Sequence, residues 1–410
     1  MTDSLIQADH PFYQDLDMLH VTGGQEIVQT LACHRVLLSR DPSWPTFHVG
    51  GEVVRTPDGV LHAVVHGSPA AQRWASKDGG FTWFGQELDL PGLGPLVALQ
   101  DGSFIAAAGR NAEAIDVLRL TDSGATWEQI SGLSKGIFDA MHIDSNLLQL
   151  RDGTLLLAAN LRLDPPSGRP FGEGYYPQYV FRSEDSGNSW QGGGDPEYWQ
   201  AVQRGEQQID YFGPQYSTPG QGGTFDGVYE TGFCELSSGT IMGAFRMSGV
   251  PRQWHAREVA SWGEPPVAVD GIDRLFRHIV LGESDDGGRS WRDLRPIVDA
   301  DGAPIMAHGE CNGELVELSD GRLVLVHQTR YAEPSEQALG YFRGRSQTCA
   351  RVSLDRGRTW MPERYRVVFG FGYSTTMALE DDTLITVTGA SLGDDGYPRR
   401  AAVIRWRVAD

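Results

Sequence analysis

The chain has 410 residues, 40% of them hydrophobic, and a formal net charge of −20. This composition is typical of a globular protein with a large core, and the negative charge excludes the basic surface that nucleic acid binding needs. No stretch approaches the ~20 apolar residues of a membrane-spanning helix. The first residues, MTDSLIQADHPFY, lack the basic and apolar segments of a secretory signal. We therefore expect a cytoplasmic protein, unless a leader was removed, with neither nucleic acid nor a membrane as partner.

The cysteine pattern argues against a metal centre. The four cysteines lie far apart in the chain, and no two of them form a CxxC pair. Widely spaced cysteines inside or beside apolar runs are typical of buried free thiols. The sequence thus predicts no metal site and no cofactor.

Six strand–turn–strand units follow one another along the chain. In each unit, alternating apolar residues flank a short turn sequence, which is the signature of a β-hairpin. In chain order the units are GEVVRTPDGVLHAVV from Gly51, GPLVALQDGSFIAAA from Gly94, SNLLQLRDGTLLLAA from Ser145, TGFCELSSGTIMGAF from Thr231, GELVELSDGRLVLVH from Gly313 and STTMALEDDTLITVT from Ser374.

A second repeat, S-x-D-x-G-x-x-W, follows each of the first five units. Four copies are complete and the fifth has lost its serine; they span Ser76–Trp83, Ser183–Trp190, Ser284–Trp291, Ser353–Trp360 and, without the serine, Leu120–Trp127. The Asp carboxylate is expected to accept hydrogen bonds from turn N–H groups, while the Gly supplies a positive φ. The Trp is expected to pack back against the sheet. These roles are structural, so the motif predicts turns and no catalytic residue.

Together the two repeats predict the fold. A hairpin followed by a second strand pair makes four strands, which is one propeller blade. Six units therefore predict an all-β, six-bladed β-propeller with four-stranded antiparallel blades, as a single domain over residues 1–410. The sixth unit runs into AAVIRWRV at the C-terminus, so strands from both ends of the chain are expected to complete one blade.

Two blades carry long insertions. A bare blade takes ~40–50 residues. The spacing between the third and fourth hairpin turns is almost twice that length, and so is the spacing between the fourth and fifth. The excess falls at about residues 161–229 and 247–277. Long excursions in a compact domain are usually functional, so we expect loops over one mouth of the channel. Surface decoration or an oligomer contact is the alternative.

These repeats resemble the Asp-boxes (BNR repeats) of the sialidases, or neuraminidases, over nearly the whole chain. The resemblance identifies the chain as a divergent member of that propeller superfamily and implies an exo-acting glycoside hydrolase with a glycan substrate. In a sialidase, a tyrosine activated by a glutamate attacks the anomeric carbon, and an aspartate protonates the leaving group. Three arginines hold the substrate carboxylate. Tyrosine as nucleophile is the recognised exception among retaining glycosidases.

Part of the sialidase residue set matches. The string from Glu230 to Arg246 is similar to the family pattern E-x4-E-L-x-x-G-x6-R, and Tyr373 opens the sixth hairpin in a string similar to YS-x-L. The resemblance therefore implies that Tyr373 and Glu230 are catalytic and that Arg246 binds substrate. For a further substrate-binding arginine, Arg345 is the best match, with Arg343 and Arg330 as alternatives.

Two family residues are missing. The family's first arginine should lie near Pro45–Gly51, where His48 comes closest, and the acid/base aspartate should lie in HGSPAAQRWASK, which has no carboxylate. Since histidine titrates near neutral pH, His48 is a candidate catalytic residue. Further candidates for the mouth of the channel, or for the acid, are His66, His308 and Glu310, and in the first insertion Glu173, Asp210 and Asp226.

Three functions follow from these observations. The first is a sialidase-like hydrolase of a terminal carboxylated sugar, with a non-standard acid. The second is a lyase or hydrolase of uronate-containing glycans that uses His and Tyr. The third is a non-catalytic glycan-binding propeller.

Overall fold

The structure is a computed structural model, and its described residues form strands and turns. They comprise residues 4–6, 14–17, 20–22, 25–26, 32–37, 51–65, 72–87, 93–112, 114–120, 127–143, 146–162, 178–192, 224–225, 228–248, 277–306, 310–329, 347–369, 373–391 and 399–408. None of these segments forms a helix that is long and apolar enough to cross a membrane.

Six antiparallel sheets make up the fold. Blade 1 contains β6 (Gly51–Arg55), β7 (Leu61–Val65), β8 (Gln72–Ser76) and β9 (Trp83–Glu87), with β1 (Ser4–Ile6) at its outer edge. Blade 2 contains β10 (Leu93–Ala98), β11 (Phe104–Ala108), β13 (Ala114–Leu120) and β14 (Glu128–Ser134). Blade 3 contains β16 (Leu147–Gln149), β17 (Leu155–Arg162), β18 (Gln178–Ser183) and β19 (Gln191–Gly192), joined by β12 (Arg110–Ala112), β15 (Ala140–His142) and β20 (Thr224–Phe225).

The other three sheets follow the same plan. Blade 4 contains β21 (Val228–Glu235), β22 (Ile241–Ser248), β23 (Arg277–Ser284) and β24 (Arg292–Pro296). Blade 5 contains β25 (Glu310–Glu317), β26 (Leu323–Thr329), β27 (Gln347–Ser353) and β28 (Arg364–Phe369), extended by β3 (His20–Thr22) and β4 (Gln25–Glu26). Blade 6 contains β29 (Thr375–Ala378), β30 (Leu384–Ser391), β31 (Arg399–Trp406), β5 (Ala32–Leu37) and β2 (Gln14–Asp17).

The first strands of the blades form a closed ring. The strands β6, β10, β16, β21, β25 and β29 each contact the next, and β29 contacts β6. These inner strands surround the central channel of the propeller. The predicted six-bladed, all-β fold is thus confirmed.

The two ends of the chain meet in blade 6. Strand β5, near the N-terminus, pairs with β31, near the C-terminus, so that Cys33 lies opposite Trp406 and Leu37 opposite Ala402. Backbone hydrogen bonds between the two ends therefore hold the ring closed, in the way that the sixth unit of the sequence predicted.

The predicted turns form where the repeats place them. At the first hairpin, Gly59 has a φ of 85°, and its N–H donates to the Thr56 carbonyl over 2.8 Å. The sixth hairpin has Asp382 at the same point, with a φ of 60°. Asp tolerates this left-handed conformation better than most side chains.

The S-x-D-x-G-x-x-W motif forms the turn between the third and fourth strands. In blade 1, the Ser76 hydroxyl accepts from the Gly80 N–H at 2.9 Å, and Asp78 Oδ1 accepts from the Thr82 N–H at 3.0 Å. The Trp83 indole N–H donates to the Gly80 carbonyl at 2.9 Å. The copies at 183–190, 284–291 and 353–360 repeat the serine and aspartate bonds. Residues 121–126 of the fifth copy lie outside the described residues.

Small residues allow the blades to approach one another at the axis. Each hairpin unit begins with Gly, Ser or Thr. A Cβ added to Gly51 would lie 2.3 Å from the Val387 side chain of blade 6. A Cβ added to Gly313 would lie 3.0 Å from the Ile279 side chain of blade 4. A larger side chain at this position would therefore push neighbouring blades apart.

Part of the first predicted insertion belongs to blade 3 itself. Strand β18 pairs with β17, for example Val180 opposite Ala158, and the motif turn follows it directly. Residues 178–192 are therefore regular blade structure. The other parts of the two insertions, residues 163–177, 193–223 and 249–276 among them, lie outside the described residues. Their place over one mouth stays a prediction.

Candidate active site

Glu230 and Tyr373 meet across the ring. The Tyr373 hydroxyl donates a hydrogen bond to Glu230 Oε1 over 2.7 Å. Glu230 lies on the inner strand of blade 4, and Tyr373 lies just before the inner strand of blade 6. The Glu230 residue is only 7% exposed, whereas Tyr373 is half-buried. The phenol is thus partly exposed, while the carboxylate beside it is shielded from solvent.

Arg246 holds the other oxygen of the same carboxylate. Its Nη1 forms an ion pair with Glu230 Oε2, and both side chains are buried. Breaking a buried pair by removing one partner typically costs 3–5 kcal/mol. Arg246 therefore orients Glu230, so that Oε1 faces the tyrosine. The structure brings Glu230, Arg246 and Tyr373 into one cluster, as the resemblance implied.

The backbone at Glu230 is unusual. Its φ is 54°, and the pairing of β21 with β22 is irregular between Tyr229 and Thr231. A non-glycine residue in this conformation costs on the order of 1–3 kcal/mol and persists where the surroundings hold it. Bulges next to active sites re-aim a side chain. Here the bulge changes the direction of the Glu230 side chain from the one that regular strand alternation would give it.

Two amide side chains of blade 3 hold this bulge. Asn160 Oδ1 accepts from the Glu230 N–H at 3.4 Å and from Gln178 Nε2 at 3.1 Å. Gln178 Oε1 in turn accepts from the Thr231 hydroxyl. All of these groups are buried. We call Asn160 and Gln178 the blade-3 brace.

A matching brace supports Tyr373. Gln328 of blade 5 donates from Nε2 to the Ser374 hydroxyl at 3.3 Å and to the Thr348 hydroxyl at 3.1 Å. Ser374 occupies the same hairpin position as Thr231 in blade 4. Thr231 directly follows Glu230, and Ser374 directly follows Tyr373. The hydroxyl of each is thus hydrogen-bonded to a glutamine of the preceding blade. Neither brace was predicted from the sequence; the Thr or Ser that begins the hairpins of blades 4 and 6 is their only sequence signal.

A pair of carboxyl groups lies deeper on the inner strands. Glu314 of blade 5 and Glu52 of blade 1 lie close enough for the charge of one to act on the other. Glu52 Oε2 also accepts from the Thr375 hydroxyl at 2.8 Å. Burial, and then the negative charge of Glu52, raise the pKa of Glu314 well above its usual range. Glu314 therefore retains its proton over a wider pH range than a free glutamate.

This shift predicts a pH-dependent gain in stability for Glu314→Gln. Below the ordinary glutamate pKa of ~4.3, both states of the wild type bind the proton and the variant has no advantage. As pH rises from there towards the folded pKa, the unfolded chain releases the proton first, so wild-type stability falls. Each tenfold difference in proton affinity is worth ~1.4 kcal/mol. Urea unfolding at pH 4 and pH 8 should show the variant more stable only at pH 8.

Glu128→Gln provides the matched control, because Glu128 is exposed on β14. It should change unfolding little at either pH. A Glu314→Gln protein that is no more stable than the wild type at pH 8 would mean that the carboxyl is not held neutral by its surroundings.

Glu310 lies in a different environment from Glu230. It is fully buried and pairs with Arg351 at 3.2 Å and with Arg364 at 2.6 Å. Burial opposes its ionisation, but the two guanidinium charges outweigh that effect and hold the pKa of Glu310 well below its usual range. Beside it, burial lowers the pKa of His327 to about 4. Two arginines thus hold the Glu310 carboxylate ionised within blade 5, and its role at the mouth stays a prediction.

The remaining candidate residues lie outside the described residues. They are His48, His66 and His308, Arg330, Arg343 and Arg345, and Glu173, Asp210 and Asp226. Their roles stay predictions. Within the described ranges, no three His, Cys, Asp or Glu side chains group closely enough to hold a metal ion. Cys234, Cys311 and Cys349 are not joined in disulfides.

Comparison with known proteins gives matches at the level of structure. No protein-family model matches the sequence, and no curated protein matches it. The GH93 α-L-arabinofuranosidase of Fusarium graminearum, in complex with arabinobiose, is 14% identical with a TM-score of 0.53, and the match covers 96% of this chain and 98% of that one. The same enzyme with an iminosugar inhibitor gives 13% identity, a TM-score of 0.52 and the same coverage.

A bacterial sialidase shares the fold as well. A mutant of the NanB sialidase from Streptococcus pneumoniae is 10% identical with a TM-score of 0.50, and the match covers 99% of this chain and 72% of that one. At such identities the likeness is one of fold: this chain shares its β-propeller fold with these glycosidases.

Proposed function

We propose that this chain is a retaining glycoside hydrolase of the sialidase type that removes a terminal sugar carrying a carboxylate. The hydrogen bond between Tyr373 and Glu230, 2.7 Å long, carries the proposal. A phenol is a weak nucleophile at neutral pH, and an adjacent general base activates such a group. A tyrosine and a glutamate in contact at the channel supply that pair.

The reaction takes two steps. Glu230 Oε1 accepts the phenolic proton while the Tyr373 oxygen attacks the anomeric carbon. The bond to the leaving oxygen breaks, and an acid gives that oxygen a proton. Water then attacks the anomeric carbon of the glycosyl-tyrosine and loses a proton to the same acid/base group. The phenolate leaves and regains its proton from Glu230. Two displacements retain the anomeric configuration.

The nucleophile of the site suits an anionic sugar. A carboxylate beside the anomeric carbon repels an anionic nucleophile, so a phenol that loses its proton only during attack suits such a substrate. Arg246 pairs with Glu230, and the family resemblance implies that its guanidinium also holds the substrate carboxylate. Arg345 would complete the clamp, and His48 or a carboxylate of the first insertion would supply the acid.

The shared fold supports a glycan as the substrate. The arabinofuranosidase and the sialidase are both glycosidases built on six-bladed propellers of this type. Neither identifies the sugar that this chain accepts. The arginine beside Glu230 favours the carboxylated sugar of a sialidase over a neutral arabinoside.

A three-substrate panel tests the proposal. The purified protein is incubated with a fluorogenic sialoside, a fluorogenic α-L-arabinofuranoside and a uronate-containing polysaccharide. We expect fluorescence from the sialoside, with the first product in the retained configuration by NMR. Ultraviolet absorbance from a new double bond in the polysaccharide would identify a lyase instead. Binding without turnover would identify a non-catalytic propeller, and either result would overturn the proposal.

A further inference from the structure

Blades 4, 5 and 6 each present a polar residue at one position of the hairpin repeat. Glu230, Asn312 and Tyr373 each precede the turn residue of their hairpin by nine positions. They belong to blades 4, 5 and 6. Since the side chains of Glu230 and Tyr373 meet, the corresponding residue of blade 5 lies between them on the ring. The resemblance that drew attention to Glu230 and Tyr373 did not include Asn312.

The backbone at Asn312 matches that at Glu230. The φ angles are 58° and 54°, and the pairing of β25 with β26 is irregular between Cys311 and Glu314, as that of β21 is around Glu230. Blades of a propeller are related by rotation about the channel. The same register and the same φ therefore direct both side chains alike relative to their blades, so Asn312 faces the side of the ring where Glu230 meets Tyr373.

The Asn312 amide is buried and unpaired. The residue is only 7% exposed, and neither Oδ1 nor Nδ2 has a hydrogen-bond partner among the described residues. Leaving a buried polar group without a partner costs ~1–3 kcal/mol. Asn146 of blade 3 shows the usual arrangement, because its amide donates to the Phe233 carbonyl at 3.1 Å and accepts from the Phe233 N–H at 2.9 Å.

The left-handed backbone does not explain this amide. Asn is favoured at positive φ, but a glycine would fit the same backbone without burying a polar group. At the matching position of blade 4, the same backbone conformation carries a charged side chain, that of Glu230. An unpaired amide at the level of the catalytic pair is therefore best explained by a partner that arrives with the substrate.

We propose that Asn312 binds the substrate and sets specificity for one of its polar groups. Its Nδ2 donates to, and its Oδ1 accepts from, a hydroxyl or amide substituent of the sugar held against Tyr373 and Glu230. Asn312 then recognises an uncharged group, while Arg246 recognises the carboxylate. This inference rests on the proposed function, whose site it completes.

The test compares Asn312→Gly with the wild type. Glycine keeps the positive φ and removes the amide. On the sialoside, kcat/KM should fall about 10-fold or more, the size of a lost hydrogen bond, while the thermal midpoint stays equal or rises. Sialosides that each lack one hydroxyl or the acetamido group complete the test. One of them should be a poor substrate for the wild type, and the variant should process it as well as the parent sialoside.

The control is Arg356→Gly. Arg356 also has a positive φ, 61°, but it is exposed on an outer turn of the same blade, so its replacement should leave the kinetics unchanged. An Asn312→Gly protein that keeps the wild-type kcat/KM, and discriminates against the modified sialoside as strongly as the wild type does, would overturn this inference. That result would leave the proposed function standing. A wild type that does not process the sialoside would overturn both proposals. A folded Asn312→Gly protein with reduced kcat/KM but unchanged discrimination would also refute the specificity role.

Discussion

Tyr373→Phe should lower kcat by ~1,000-fold or more. The change removes only the hydroxyl that donates to Glu230 Oε1, and loss of a nucleophile typically costs orders of magnitude in turnover. Because Tyr373 is half-buried and precedes strand β29, the ring stays packed and the thermal midpoint should change little. Initial rates on the fluorogenic sialoside measure the effect.

A tyrosine elsewhere in the same part of the fold provides the control. Tyr365 is buried in blade 5, only 3% exposed, and Tyr365→Phe should retain turnover. A fluorinated sialoside, whose fluorine slows breakdown of the intermediate, should add the mass of one sugar to the peptide that contains Tyr373. Near-normal turnover by Tyr373→Phe, or labelling of another peptide, would exclude this tyrosine as the nucleophile.

Trp291→Ala should destabilise the protein by ~3–5 kcal/mol, the usual cost of truncating a core tryptophan. Trp291 ends the motif turn of blade 4 and is 6% exposed. Its ring stacks on Phe233 with centroids 5.3 Å apart and meets Phe245 edge-on at 5.2 Å. The midpoint of urea unfolding, with the slope of the transition, measures the loss.

The effect should be confined to stability. Trp291→Phe keeps an aromatic ring against Phe233, so it should lose less stability than the alanine variant. For the fraction that remains folded, turnover per molecule should match the wild type. If Trp291→Ala unfolded at the wild-type midpoint, the structural role assigned to the motif would be wrong.

Local sequence features predicted the blades. Alternating apolar residues and a turn residue define a hairpin within some fifteen positions, and the motif turn spans only eight more. The hydrogen bonds that these features require join near neighbours, such as Gly80 with Ser76 four positions away. Such bonds form wherever their residues occur, so the count of blades could be predicted from the chain.

The braces could not be predicted in the same way. The hydrogen bond from Glu230 to Asn160 joins residues 70 positions apart, and the bond from Thr231 to Gln178 spans 53. Both cross from one blade to the next. No local pattern distinguishes Asn160 or Gln178 from other polar residues, because their role depends on which blade lies beside them.

The first insertion shows a related limit. Its expected boundary of about residues 161–229 came from the spacing of hairpin turns, which counts every residue between two turns. Strand β18 and the turn that follows it, residues 178–192, lie inside that span and belong to blade 3. The turn spacing measures how much extra chain is present, and strand pairing determines where it begins and ends.

Repeated turns and alternating apolar residues were therefore sufficient to specify six hairpins, because each depends on residues close in the chain. The cluster of Glu230, Arg246 and Tyr373 depends on how the blades pack around the channel. Tyr373 and Glu230 lie 143 positions apart, and they meet because the inner strands of blades 4, 5 and 6 lie side by side in the ring. The same packing places Asn312 between them. Local propensity forms the parts, while packing of blade against blade sets the distance between their side chains.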